Sequence, residues 1–294
     1  MNVVLSMKSA KQIVDECDMI SFDLFDTLIK RDVKREEDVF GIIENVLKTM
    51  NRPEANGFKN ERIAAMNNIY SKHYNREMKL EDIYAEMYGF VDDSIYEIIN
   101  IEEHVQTEVC TKNIPVVKFL DWCVENGNKR ILIITDTYLP KNVIIQILDK
   151  NGLKKYFDDD GIYVSSEEGV TKKSGKLFHK IIEKDRYNVA KWVHFGDAIR
   201  SDIIIPGKIG LKTVHVNRNI NNCVFSIKSE RDDYEAQALE CFQNNRILEI
   251  DGYYHKFGYE CMGPIVWGFS SWLNKQLKEK SSCRFLFLSR EGQF

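Results

Sequence analysis

The segment Ile20-Ser21-Phe22-Asp23-Leu24-Phe25-Asp26-Thr27-Leu28-Ile29 constrains this chain more than any other. An apolar run that ends on a carboxylate and passes into a short polar turn is the pattern of a buried parallel strand. Such a strand delivers its acid to the carboxyl edge of a sheet, where open α/β folds bind their ligands. Three later segments repeat the pattern. A strand from Arg130 to Ile134 ends on Thr135-Asp136, and one from Ile162 to Ser165 leads into a polar loop with Lys172. A third, Trp192 to Phe195, ends on Gly196-Asp197, and a further strand is expected at Lys212 to Val216. Helical segments separate them, one opened by Pro115 and one closed by Asn151-Gly152. Strand–helix alternation of this kind gives an α/β fold with a doubly wound parallel sheet.

Between Arg31 and Asn113 the period changes. Val39, Ile42, Ile43, Val46 and Leu47 recur at helical spacing, as do Ile63, Met66 and Tyr70, then Leu80, Ile83, Tyr84 and Met87, then Ile95, Ile98 and Ile99. No strand is expected in this block, which reads as an all-helical cap inserted after the first strand. The domain reading is therefore a core of residues 1–30 and 114–218, a cap of 31–113, and a C-terminal helical extension of 219–294. Helices are expected at 232–246 and about 264–280, then a sixth apolar strand at Cys283 to Leu288. Because that strand would lack its covering helix, the extension could begin a further domain, with more of the chain beyond residue 294.

Composition narrows the class. With 44% hydrophobic and 29% charged residues, the 294-residue chain suits a globular protein of about two domains. A net charge of −4 gives no global pull towards nucleic acid. No window approaches the roughly 20 apolar residues of a membrane span. Seven scattered cysteines without a Cys-x-x-Cys pair suit a reducing compartment, so the expected location is cytoplasmic.

Asp23, Thr135, Lys172 and Asp197 each stand at or just beyond the end of an expected parallel strand, so they should converge. A carboxylate, a hydroxyl, a cation and a second acid suit phosphoryl transfer: one attacks phosphorus while the others neutralise and orient its oxygens. Other signals are weaker. Gly169 to Lys176 departs from a phosphate-cradling Walker loop in spacing and at Leu177. His194 and His215 lie inside strands and are expected to be packed and hydrogen-bonded. His73 and His104 are expected to be solvated, and Tyr70, Tyr74, Tyr84 and Tyr88 to pack the cap.

These residues resemble the haloacid dehalogenase (HAD) superfamily. Asp23 to Thr27 is similar to its first motif, Asp-x-Asp-x-Thr, and Thr135 to the second. Lys172 is similar to the third-motif lysine, with Lys176 a weaker candidate because Lys173 stands where many relatives have proline. Gly196-Asp197-Ala198-Ile199-Arg200-Ser201-Asp202 is similar to the fourth. The resemblance implies an aspartyl-phosphate on Asp23, with Thr27, Thr135, Asp136 and Lys172 binding phosphate. It implies Mg²⁺ held by Asp23, the main-chain carbonyl of Phe25, and Asp197, with Asp202 as a ligand or as the orienter of Lys172. It implies a small phosphorylated substrate selected by the cap.

One position departs from the motif. Phe25 stands where the phosphatases of the superfamily have their general acid and base; Asp26, Asp136 and Tyr138 are candidate surrogates. Two other readings follow from Phe25: a non-catalytic module that binds phosphate or a partner, and a dehalogenase attacking carbon without metal. Phe287-Leu288-Ser289-Arg290-Glu291-Gly292 also resembles a segment of larger bacterial HAD-like proteins, some linked to surface-polysaccharide synthesis.

Overall fold

The computed structural model describes residues 7–72, 78–127, 129–216, 233–244 and 252–278. Five parallel strands form the central sheet: β1 (Met19–Phe22), β4 (Arg130–Thr135), β5 (Ile162–Val164), β6 (Trp192–Gly196) and β7 (Lys212–His215). Two short strands, β2 (Ile29–Arg31) and β3 (Cys110–Lys112), lie outside it. The sheet order is β5-β4-β1-β6-β7, and Met19 of β1 aligns with Arg130 on one side and Trp192 on the other. β1 is therefore the central strand. Its four residues are all buried, as expected of a parallel strand covered on both faces.

The helices divide between the two faces. Leu177, Phe178 and Ile181 of α9 (Lys176–Asp185) pack with Leu132, Ile134 and Trp192 on one face. On the other, Ile20, Phe22, Ile133 and Phe195 meet α1 (Met7–Asp15), α6 (Ile114–Glu125) and α7 (Lys141–Lys150). α/β winding with helices on both faces is thus observed, and the expected strands and helices of the core are present within a residue or two, except that β1 ends at Phe22, three residues before the expected Phe25.

Residues 31 to 113 fold mainly as α2 (Asp38–Thr49), α3 (Phe58–Lys72), α4 (Leu80–Tyr88) and α5 (Asp93–Glu108). The expectation of no strand in this block needs correction. β3 lies at its end and pairs antiparallel with β2, Arg31 facing Cys110. Three-residue strands are too short to carry a period, so sequence patterning does not register them. The β2–β3 pair joins the chain's exit from the sheet to its return.

The apolar cluster on this face runs without a break into the inserted helices, through Phe40, Ile43, Phe58, Ile83 and Ile98. At its centre Arg62 and Glu102 are fully buried and doubly bonded, Nε to Oε2 at 2.9 Å and Nη2 to Oε1 at 2.7 Å. Tyr84 donates to the same carboxylate at 2.9 Å. The guanidinium also lies 4.5 Å from the Phe40 ring and 4.9 Å from that of Tyr138, which follows β4. The pair therefore ties inserted helices to a loop of the sheet.

Beyond β7 the described elements are α11 (Tyr234–Asn244), α12 (Tyr253–Phe257) and α13 (Gly263–Lys278), with α8 (Ser165–Glu168) and α10 (Ile205–Ile209) earlier in the chain. Glu240 of α11 pairs with Lys34 at 2.8 Å, and Gln237 accepts from the Lys34 amide. No helix among the described residues is long and apolar enough to cross a membrane. His73, Tyr74, the sixth strand expected at 283–288 and the segment 287–292 lie outside the described residues.

Breaking a buried ion pair leaves an uncompensated charge and typically costs about 3–5 kcal/mol. Arg62→Met should lose about that much in urea unfolding. Arg62→Met with Glu102→Leu should recover most of it, because neither charge then remains.

Candidate active site

Asp23 is the first residue beyond β1, and its amide still donates to the Phe195 carbonyl at 2.8 Å, extending the ladder. The chain then turns sharply: Asp26 has φ of 58°, and the Leu24 carbonyl accepts the amides of both Leu28 and Ile29 at 2.9 Å. Thr135 is the last residue of β4, and Asp197 follows β6 directly. Lys172 comes from the loop between α8 and α9. These four groups meet at the carboxyl edge of the sheet, around a cavity of about 160 Å³.

Lys172 is the centre of the cluster. Its Nζ lies 2.6 Å from Asp23 Oδ1 and 2.6 Å from Asp202 Oδ1. Asp23, Asp197 and Asp202 are all buried, with one oxygen of each within 4.8 Å of the others. Burial opposes the Lys172 charge, but Asp23 and Asp202 hold its pKa well above the usual lysine value. Burial raises the Asp23 carboxyl most; Lys172 pulls the other way and Asp202 and Asp197 add to the rise, leaving it at about 8. Asp202 is opposed by burial too, yet Lys172 and His194 hold it well below the usual carboxylate range.

The placement of Asp202 can be traced through hydrogen bonds. The Trp192 indole can only donate, and it donates to Ser21 Oγ at 2.8 Å. His194 Nε2 faces the acceptor-only Asp202 Oδ1 at 3.3 Å, so it carries the proton, and in the neutral ring Nδ1 then accepts from the Ser21 hydroxyl at 2.8 Å. Burial keeps His194 below its ordinary pKa, consistent with this neutral form. The Ala198 amide occupies the other oxygen, Oδ2, at 2.9 Å. Asp202 sits on a π-helical turn, Ile199–Ile204. A Cβ on Gly196 would stand 2.4 Å from its carboxyl carbon, so glycine is required there.

The remaining expected residues divide. Thr135 lines the cavity with its Oγ1 buried and without a hydrogen-bond partner among the described residues. Asp136 also lines it, but its oxygens accept the amides of Lys172 at 2.7 Å and Lys173 at 3.3 Å, which fixes the lysine loop. Thr27 is fully buried outside the cavity lining and donates to Asp197 Oδ1 at 3.4 Å. Lys176 is exposed on α9. Phe25 and Asp26 line the cavity, whereas Tyr138 is buried away from it and accepts from Gln106 at 2.9 Å. His194 is packed and bonded as expected, His215 donates towards the Asp197 carbonyl, and His104 is exposed.

Arg31 and Glu36 line the cavity as well, and sequence reasoning missed both. Their only signal was proximity to the first motif, at the edge of a block that reads as helix.

Site and fold together define an α/β protein whose Rossmann-like parallel sheet gathers three acids and a lysine at its carboxyl edge. The sequence model of the haloacid dehalogenase-like hydrolases matches residues 17–207, more than half of the chain, and the protein belongs to that family. No curated protein matches the chain. Similar solved structures include a HAD phosphatase from Thermococcus onnurineus, with 17% identity, 70% of this chain and 88% of that one covered, and a TM-score of 0.49. A haloacid dehalogenase-like family hydrolase from Xanthomonas campestris has 14% identity, coverages of 76% and 89%, and a TM-score of 0.47. A HAD family enzyme from Bacteroides thetaiotaomicron has 15% identity, coverages of 70% and 96%, and a TM-score of 0.47.

A carboxyl whose pKa is higher folded than unfolded binds its proton more tightly in the native state. Stability from Asp23 is then full below the unfolded range near 4 and declines as pH rises towards about 8. Thermal unfolding in chelator should show this decline between pH 5 and 8, and Asp23→Asn should flatten it.

Proposed function

We propose that this HAD hydrolase is a Mg²⁺-dependent phosphatase or phosphoryl-transfer enzyme that acts on a small phosphorylated molecule through an aspartyl-phosphate on Asp23. The observation that carries this reading is the pairing of Asp23 with Lys172 at 2.6 Å inside a buried cluster of three acids. An isolated buried acid cluster of this kind is costly unless cations compensate it, and one lysine does not balance three carboxylates.

The donor set fits Mg²⁺, which prefers oxygen ligands and keeps several waters. Asp23, Asp197 and the Phe25 carbonyl would hold it. Asp202 fits less well as a ligand, because Lys172, His194 and the Ala198 amide already engage its oxygens. Its better role is to orient Lys172. When bound, the ion neutralises phosphoryl oxygens and holds Asp23 as the carboxylate.

The protein groups supply the rest. Asp23 attacks phosphorus while the Lys172 ammonium faces the phosphoryl oxygens, and the Thr135 hydroxyl, without a partner among the described residues, donates to one of them. Asp136 keeps the lysine loop in place through the two amides it accepts. Thr27 fixes Asp197 from behind. In this reading residues 31–113 act as the cap over a core of 1–30 and 114–218, with 219–294 as an extension. Closure by the cap excludes water and selects the substrate.

Phe25 removes proton transfer to the leaving group, help that is typically worth about 10² to 10⁴ in rate. The test uses p-nitrophenyl phosphate, whose leaving group needs little acid. Mg²⁺-dependent turnover is expected in the wild type and lost in Asp23→Asn; turnover that survives Asp23→Asn overturns the reading. Phe25→Asp should raise the rate, by about 10² or more on alkyl phosphates, where acid help matters most. Mg²⁺ should raise the melting temperature of the wild type, and Asp197→Asn should abolish that shift.

A further inference from the structure

The cavity holds a charged pair that this mechanism does not use. Arg31, the last residue of β2, has a side chain only 9% exposed. Its guanidinium carbon lies 4.0 Å from the centre of the Phe25 ring. Its Nη2 donates to Glu36 Oε1 at 3.2 Å, while its buried Nε has no hydrogen-bond partner among the described residues. Glu36 is itself 48% exposed. A nine-tenths-buried cation is thus held by one direct ion pair, to a half-exposed carboxylate, with Asp26 adding to the negative charge around it. Burial opposes its charge, but Glu36 keeps its pKa above the ordinary arginine value.

Phe25, Arg31 and Glu36 line the same cavity as Asp23, Thr135 and Lys172. At the position where a carboxylic acid would protonate a departing alkoxide, this chain presents an aromatic ring with a guanidinium stacked on it. A guanidinium is never deprotonated in proteins, so it supplies no proton to an alkoxide. It stabilises by charge an oxygen that leaves as an anion, and it suits carboxylate and phosphate groups in particular.

We propose that Arg31 contacts the leaving group and selects phosphoryl donors whose leaving group departs as a carboxylate or phosphate anion, namely acyl phosphates and phosphoanhydrides, over alkyl phosphomonoesters. This rests on the aspartyl-phosphate reading of Asp23. Asp23 forms a bond to phosphorus, and the bond to the bridging oxygen breaks with its electron pair on that oxygen. The leaving group departs as an anion beside Arg31 and takes no proton. Water then bonds to phosphorus, the Asp23–phosphorus bond breaks back to the carboxylate, and the water proton ends on the released phosphate. Of the other acids at the cavity, Asp136 accepts two loop amides and Glu36 accepts from Arg31, while Asp26 also lines it and adds to the negative charge facing Arg31.

The experiment measures kcat/KM of the full chain with Mg²⁺ for acetyl phosphate, inorganic pyrophosphate and glycerol phosphate. Wild type should favour at least one of the first two over glycerol phosphate by about 10² or more, the size of the missing acid help. The two anionic arms separate acyl phosphates from phosphoanhydrides. Arg31→Gln should reduce that preference at least about tenfold, as loss of one preorganised charge contact does, and Arg31→Lys should restore part of it. A retained Mg²⁺-dependent melting shift in Arg31→Gln establishes that the variant is folded. Equal rates on glycerol phosphate in the wild type, or an unchanged preference in Arg31→Gln, overturn the proposal. So does glycerol phosphate turnover that depends on Glu36 or Asp26, lost in Glu36→Gln or Asp26→Asn, because that carboxyl is then the acid. Asp23-dependent hydrolysis of p-nitrophenyl phosphate in the same preparation separates these failures from failure of the underlying reading.

Discussion

The structure depends on one buried cation. Lys172 sits between Asp23 and Asp202 at 2.6 Å from each, and without it three acids would be forced together out of water. Much of the surrounding architecture serves that contact. β1 and β6 lie side by side so that Asp23 and Asp197 leave the sheet at the same edge. The loop after β5 is held by Asp136 so that the lysine can return across it. The loop geometry follows from an electrostatic requirement: a charge cluster this dry is stable only when each member has a fixed partner.

Behind the cluster, a chain of hydrogen bonds fixes Asp202. Trp192 sets Ser21, Ser21 sets His194, and His194 presents its proton to Asp202. Ser21 lies mid-strand in a fully buried strand of the sheet, where a polar residue would ordinarily destabilise. Its place is explained because both its lone pair and its proton are used. The same chain accounts for Gly196, since a side chain there would occupy the space of the Asp202 carboxyl.

In front of the cluster, the segment that leads from β2 into the inserted helices contributes Arg31 and Glu36 to the cavity lining. The core of those helices is continuous with that of the sheet, and the Arg62–Glu102 pair stacks on Tyr138, close in sequence to Thr135. Where the insertion meets the sheet, the cavity is lined by a guanidinium stacked on Phe25.

The sequence by itself determined the strand ends. Apolar runs closed by Asp23, Thr135 and Gly196-Asp197 place their polar residues at one edge in any parallel sheet, so the fold and four of the converging groups were legible from period and position. It also showed that Phe25 interrupts the first motif. Only the tertiary structure decided the division of labour among the acids. Asp136 holds a loop, Thr27 stands behind Asp197, and Asp202 is filled by a histidine, a lysine and an amide. It alone brought Arg31 over Phe25, through a strand pair too short to leave a period. Lys172 meets Asp23 across 149 residues of chain. Contacts of that kind depend on packing at ångström precision, and neither composition nor spacing encodes it.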